Sequence, residues 1–223
     1  MIVVSFLRPS EIGASPTTER ANRTTKVGGG NVNNDNETKR KVLVLLGSPR
    51  KKGNSTILAQ EIAKGAESLG AVVETLYING MNIKACQGCW TCQEEGSKGC
   101  PIDDDMQTIY HKLIEADSWV IASPVHWFNM STQTKLWLDR CFALQKYGEN
   151  PFRKKIGIAM SFGDTDPFTS GCINAIRSFQ DSFRYAGAKI AGIVYGSALN
   201  AGDISRNTGL LKTAKELGKK LAK

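Results

Sequence analysis

From Lys41 onward, short apolar runs alternate with longer amphipathic ones. The run "KVLVLL" (41–46) is branched and apolar and is ended by Gly47, the pattern of a strand buried on both faces. The segment from about Ser55 to Leu69 places Ile57, Leu58, Ile62 and Leu69 at three-to-four spacing and stops at Gly70, which predicts a helix. The same reading predicts strands at 72–78, 118–123 ("SWVIAS"), 155–161 ("KIGIAMS") and 188–195. It predicts further helices at about 104–116, 131–146, 171–186 and 203–222. Five strands alternating with five helices, without internal repeats, predict one α/β domain on a parallel, doubly wound sheet.

Residues 1 to about 40 break this pattern. The stretch "SEIGASPTTERANRTTKVGGGNVNNDNETKR" is rich in Asn, Thr, Gly and Ser and nearly lacks large apolar side chains. It buries too little surface to offset the entropy of ordering it, so a disordered, low-complexity extension is expected. The leading "MIVVSFL" is short and follows no positive segment, and makes a poor secretory signal. The acidic Glu11, Glu19, Asp35 and Glu37 argue against a transit peptide.

Charge changes the picture little. The formal net charge is +8, but Lys and Arg are spread along the chain in small groups such as Arg50-Lys51-Lys52 and Arg153-Lys154-Lys155. No aromatic or zinc-finger pattern of a nucleic-acid reader accompanies them, so the excess reads as solvated surface and no nucleic-acid partner is expected. No apolar run approaches the length of a membrane helix, and no membrane partner is expected. Six cysteines, four of them clustered, suit a metal or redox role in a reducing cytoplasm better than a disulfide framework.

In parallel sheets ligands bind beyond the carboxyl ends of the strands. The first loop there, "GSPRKKGNST" (47–56), combines glycines, the hydroxyls of Ser48, Ser55 and Thr56, the amide Asn54 and the cation Arg50. Together with the N–H groups of a helix start, these make a receptor for a phosphate dianion. Neither the Walker A spacing nor the G-x-G-x-x-G fingerprint is present. Capping by Asn54 or Ser55 accounts for one polar residue but not for the whole run.

After the third strand comes "ASPVHWFNMSTQTKLWLDR" (122–140). Pro124, Val125, His126, Trp127 and Phe128 stand where a turn should be polar, and predict a slot for a flat ring. The plainer alternative is that Trp127 and Phe128 cover the core. His126 is a candidate to donate a proton or hydrogen bond to a reduced ring. The loop "SFGDTDP" (161–167) adds Ser161, Gly163 and Asp164 as a candidate ligand edge. A phosphate receptor beside an aromatic slot suits flavin mononucleotide (FMN).

Between the second strand and the next helix lies "CQGCWTCQEEGSKGC", with Cys86, Cys89, Cys92 and Cys100 in C-x2-C-x2-C-x7-C spacing. Three thiolates at intervals of three on one loop can take three corners of a 4Fe–4S cubane, with Cys100 as the fourth ligand. Bacterial ferredoxins use a related run, also followed by proline, as Pro101 follows Cys100. Gly88 leaves room for backbone amides to approach the cluster sulfurs. Structural zinc and free dithiol chemistry remain as alternatives, though overlapping triplets suit separated zinc knuckles poorly. Cys141 reads as core, and Cys172 has no visible partner.

"VLVLLGSPRKKGNST", "DDMQTIYHKLIEADSWVIASPVHWFNMSTQTKLWLDR" and "KIGIAMSFG" together resemble the flavodoxin-fold NADPH-dependent FMN reductase family. With the cysteine loop included, the chain is similar to the iron–sulfur flavoprotein branch of that family. The resemblance runs from about Lys41 to the end. It implies five strands in the order 2-1-3-4-5, bound FMN, NAD(P)H as a possible co-substrate and a homodimer or homotetramer. It also implies phosphate contacts from Ser48, Arg50, Asn54, Ser55 and Thr56 and ring contacts from Pro124 through Asn129. His126 departs from the aromatic residue, such as Tyr, that relatives commonly carry. Some relatives keep the cysteine loop without a cluster.

The expected function is an electron-transfer oxidoreductase that couples two-electron flavin chemistry to one-electron cluster chemistry. Its donor or acceptor is a small molecule or a ferredoxin-like protein. The alternatives are a cluster-free NAD(P)H-dependent FMN or quinone reductase, and a non-catalytic flavodoxin-like carrier or thiol redox sensor.

Overall fold

The computed structural model describes residues 39–223, so the expected extension over residues 1 to 40 lies almost wholly outside the described residues. Five strands run parallel: β1 (Lys41–Leu46), β2 (Val72–Tyr77), β3 (Ser118–His126), β5 (Lys155–Phe162) and β6 (Lys189–Ser197). Their order is β2-β1-β3-β5-β6, the predicted doubly wound topology. A sixth strand that the sequence pattern did not anticipate, β4 (Asn129–Met130), folds back antiparallel on the end of β3.

The sheet is buried in the middle and open at its edges. In β1 the alternating side chains go to opposite cores: Leu43 and Leu45 pack under one helical layer, Val42, Val44 and Leu46 under the other. Helices α2 (Met106–Glu115), α3 (Thr132–Arg140) and α4 (Cys172–Ala186) supply residues to the first core; α1 (Asn54–Glu67) and α5 (Thr208–Leu221) cover the second. β2 at one edge and β6 at the other are half exposed, as expected where a strand lacks a neighbour.

Two helices are shorter than their apolar periodicity predicts. The segment expected to be helical over 131–146 is α-helical only to Arg140, then tightens into a 3-10 stretch over Cys141–Tyr147. The Arg140 carbonyl accepts a hydrogen bond from the Tyr110 hydroxyl at 2.8 Å, and Tyr147 stacks on the Tyr110 ring at 4.2 Å between centroids. These tertiary contacts set the tighter turn. The segment expected over 203–222 breaks at Asn207, whose side-chain oxygen accepts the Leu210 N–H and caps α5. Among the described residues no helix is long and apolar enough to cross a membrane.

Candidate functional site: two cavities joined by one helix

The loops at the carboxyl ends of β1, β3, β5 and β6 enclose an open cavity of about 230 Å³. Ser48, Arg50 and Asn54 come from the first loop, Pro124, Val125 and His126 from β3, and Ser161 and Gly163 from the end of β5. Pro49, Gly53, Phe162, Ala198, Leu199 and Ala201 complete the wall. The last three were missed in the sequence. Their small-residue turn looks ordinary, and only its place after a parallel strand marks it for ligand contact.

The first loop is tightly wound before any ligand is considered. Gly53 N–H donates to the Arg50 carbonyl at 3.0 Å, and Arg50 N–H donates to Ser48 Oγ at 3.1 Å. Thr56 Oγ1 donates to the same Arg50 carbonyl at 3.4 Å, and the Tyr77 hydroxyl ties the loop to β2 through Pro49 O at 2.6 Å. A Cβ on Gly47 would lie 1.9 Å from Thr134 Oγ1, so only glycine lets β1 run this close to α3. The outcome is a fixed cradle opening on the first turn of α1, with the Arg50 cation beside it, which is chemistry suited to an anion.

The predicted phosphate contacts divide into three kinds. Ser48 and Arg50 line the cavity. Ser55 and Thr56 are buried behind it, and Ser55 Oγ finds no hydrogen-bond partner among the described residues. Asn54 also lines it, but its amide is spent on another task. Nδ2 donates to the carbonyls of Asn200 (2.9 Å) and Ala198 (3.4 Å), and Oδ1 accepts from Gly202 N–H (2.9 Å) and Ile204 N–H (3.2 Å). Asn54 therefore pins the β6–α5 loop over the cavity and offers a ligand its backbone N–H.

The expected aromatic slot takes another form. Val125 pairs with Met130 and His126 with Asn129, so Trp127 and Phe128 are the two central residues of a hairpin turn. Both have positive φ, 44° and 66°, a conformation such turns normally assign to Asn or Gly. Trp127 is 92% exposed and Phe128 53%, so neither covers the core. The strained tip is held from below: Asn174 Nδ2 donates to Phe128 O at 3.1 Å, and Gly171 approaches so closely that a Cβ there would lie 2.5 Å from Phe128 Cα. Pro124, Val125 and His126 line the cavity, whereas Trp127, Phe128 and Asn129 are exposed and lie outside its lining. Asp164 is exposed and turns to its own loop, where Oδ1 accepts the Thr165 N–H. Partial burial and the neighbouring Arg50 charge both push the His126 pKa down, which favours a neutral imidazole able to donate a hydrogen bond.

A second cavity, about 40 Å³ and almost wholly apolar apart from its thiols, is bordered by all four clustered cysteines: Cys86, Cys89, Cys92 and Cys100. Cys92 is buried, Cys100 partly so, and Cys86 and Cys89 reach the surface; all are unbridged. The loop presents sulfur with donors already placed. The N–H and hydroxyl of Thr91 hold the Cys89 thiol below its ordinary pKa, and Gln93 Nε2 donates to Cys92 Sγ at 3.3 Å. Among the described residues no three His, Cys, Asp or Glu side chains converge as ligands of a single ion. Four thiols around one cavity suit a polynuclear centre, which holds its ligand sulfurs farther apart.

Both ends of the cysteine loop are fastened by one buried ion pair. Arg140, 1% exposed at the end of α3, donates to the Asp104 carboxylate at 2.5 and 3.1 Å and to the Lys84 carbonyl at 2.9 Å. Asp104 also accepts the N–H groups of Lys84 and Met106. Burial works to raise the Asp104 pKa, but these donors outweigh it and hold the carboxyl below the ordinary range. Cys141 and Cys172 lie in the core, where burial pushes their thiols up, Cys172 to about 11. They are packing residues.

Helix α3 links the two cavities. Ser131, its N-cap, donates to Gly47 O at 2.6 Å under the first cavity, and Arg140 lines the second. Its nine residues span about 13 Å.

Comparison with known proteins agrees with this architecture. An iron-sulfur flavoprotein of Methanocaldococcus jannaschii is 32% identical over 190 residues, covering 82% of this chain and 95% of that one. An iron-sulfur flavoprotein of Methanosarcina thermophila is 30% identical over 186 residues, covering 81% and 93%. The fold is shared with an NAD(P)H:quinone oxidoreductase from Methanothermobacter marburgensis, with a TM-score of 0.65 at 19% identity over 81% of this chain and 98% of that one. Residues 40–199, which carry the whole first cavity but for Ala201 and the whole cysteine loop, match the NADPH-dependent FMN reductase family. With its parallel sheet, its anion cradle after β1 and this match, the chain belongs to the NADPH-dependent FMN reductase family and is an FMN-dependent oxidoreductase.

Proposed function

We propose that the chain is an iron–sulfur flavoprotein, holding FMN in the first cavity and a 4Fe–4S cluster on Cys86, Cys89, Cys92 and Cys100. Bound FMN accepts a hydride or single electrons, and a 4Fe–4S cluster passes one electron at a time, so the pair converts two-electron into one-electron transfer. The observation that carries this reading is that all four cysteines border one cavity, although Cys100 lies well beyond the other three in sequence.

The chain's own residues divide the work. Arg50, Ser48 and the first N–H groups of α1 bind the phosphate dianion. Pro124, Val125 and His126 orient the ring, and the neutral His126 imidazole holds a proton it can share with the ring edge. Ser161 and Gly163 close the far side. Trp127, Phe128 and Asn129, exposed next to His126, cover the bound ring from water. The Thr91 N–H and hydroxyl favour thiolate at Cys89, and Gln93 Nε2 donates to Cys92 Sγ. The electron source is NAD(P)H or a ferredoxin-like carrier, and the protein works as a homodimer or homotetramer in the cytoplasm.

The test is metal and flavin analysis of protein purified without oxygen. A brown shoulder near about 400–420 nm that dithionite bleaches, with iron and acid-labile sulfide present, supports the cluster. Flavin without iron or sulfide, even after anaerobic reconstitution, leaves a cluster-free reductase. A chain that binds FMN but oxidises neither NADH nor NADPH with any acceptor is a carrier instead.

A further inference from the structure

Arg140 has one polar atom that its ion pair does not use. Nη1 and Nη2 are committed to Asp104 and Lys84 O, while Nε is buried without a hydrogen-bond partner among the described residues. An unpaired buried donor is costly, and more so when it is charged, so such an atom calls for an explanation. The surroundings supply one. Arg140 lines the cysteine cavity and Asp104 does not, so the positive end of the pair faces the sulfurs. The other polar side chains of that wall are engaged elsewhere, Asp139 by Lys135 Nζ through both oxygens and Gln87 through its amide to Ala85 O. That leaves sulfur as the acceptor for Nε.

We propose that Arg140 sets the reduction potential of the centre held by the four cysteines, by donating its Nε–H to a sulfur of that centre. This rests on the cluster reading above. A donor to a cluster sulfur stabilises the reduced, more negative state and raises the potential. A fixed guanidinium does this without reorganising, because Asp104 and the Lys84 carbonyl already hold its other end. Asp104 acts against it: the carboxylate neutralises the cation and so limits how far the potential rises.

Two variants therefore move the potential in opposite directions. Arg140→Lys keeps a cation for Asp104 but removes the Nε–H. In anaerobically purified full-length protein, an EPR-monitored redox titration is expected to show the reduced-to-oxidised ratio at fixed potential falling about tenfold, equal to a midpoint 59 mV lower for one electron. Asp104→Asn keeps an acceptor for Arg140 and removes the charge, and is expected to raise the midpoint. A merely structural role changes cluster content or unfolding without this opposed pair of shifts. A third measurement needs no substitution: wild-type protein labelled with 15N-arginine is expected to show a 15N coupling to the reduced cluster in pulsed EPR. It decides the matter alone should Arg140→Lys fail to hold iron. Iron-loaded protein with no 15N coupling, or an unshifted midpoint in loaded Arg140→Lys, overturns the role of Arg140 and leaves the cluster reading standing. Wild-type protein without iron and sulfide overturns both.

Discussion

The two cavities are built on opposite plans. The first is assembled from four loops distant in sequence, brought together because parallel strands end at one edge of the sheet. It is open and polar, and its shape is held by many backbone hydrogen bonds of modest individual strength. The second comes from one loop and the end of one helix, and is small and apolar. Its loop is tied at both ends by a buried ion pair 36 residues apart in sequence, with Tyr147 and Gln107 holding Cys100 besides. The lesson concerns failure. Removing a ligand contact from the first weakens a ligand; removing the ion pair from the second loosens both ends of the cysteine loop at once.

Cys92→Ser puts this to the harshest test. Cys92 is the buried member of the four, 8% exposed, and its loss is expected to abolish iron binding while FMN content stays at wild-type level, measured on one preparation. Loss of both would show that the cavities are not independent. Asp104→Ala leaves Arg140 buried without its counter-charge and is expected to cost about 3–5 kcal/mol in denaturant unfolding. The matching pH effect has a definite sign. The folded carboxyl binds its proton less readily than the unfolded one, so its contribution is full at neutral pH and is lost as pH falls below about 4. Asp104→Asn removes that part of the acid sensitivity.

Arg50→Ala is the counterpart at the open cavity. It is expected to weaken FMN binding about 10- to 100-fold, the worth of a charge-assisted contact, while changing stability by less than about 0.5 kcal/mol. Fluorescence titration of the flavin against unfolding of the apoprotein separates the two quantities. The smallest effect is expected at the hairpin tip. Replacing Trp127-Phe128 by Asn-Gly relieves two left-handed residues and is expected to stabilise the apoprotein by about 1 kcal/mol. A gain in stability joined to weaker flavin binding would mean that the strain serves the site.

What was legible follows from what each feature depends on. The strands and the first cavity were legible because apolar periodicity gives the strands and a parallel sheet brings the loops after them to one edge, whereas the strand order followed from the family resemblance. The cysteine spacing was legible because it is local. The hairpin was not: Trp127 and Phe128 lack the Asn-Gly signature of their turn, and only docking against Gly171 and Asn174 holds them in it. The second task of Asn54, the end of α3 at Arg140 and the Asp104–Arg140 pair were equally hidden, because each is a contact between residues far apart in the chain. The loop after β6 was passed over for a different reason, since Ala198, Leu199 and Ala201 carry no chemistry that distinguishes a ligand wall from a turn.

The most direct test of the central claim is the stoichiometry of flavin, iron and acid-labile sulfide in a single preparation kept free of oxygen. Two occupied cavities in one chain give one FMN with about four iron and four sulfide per polypeptide. A yellow protein that remains iron-free after anaerobic reconstitution would contradict it.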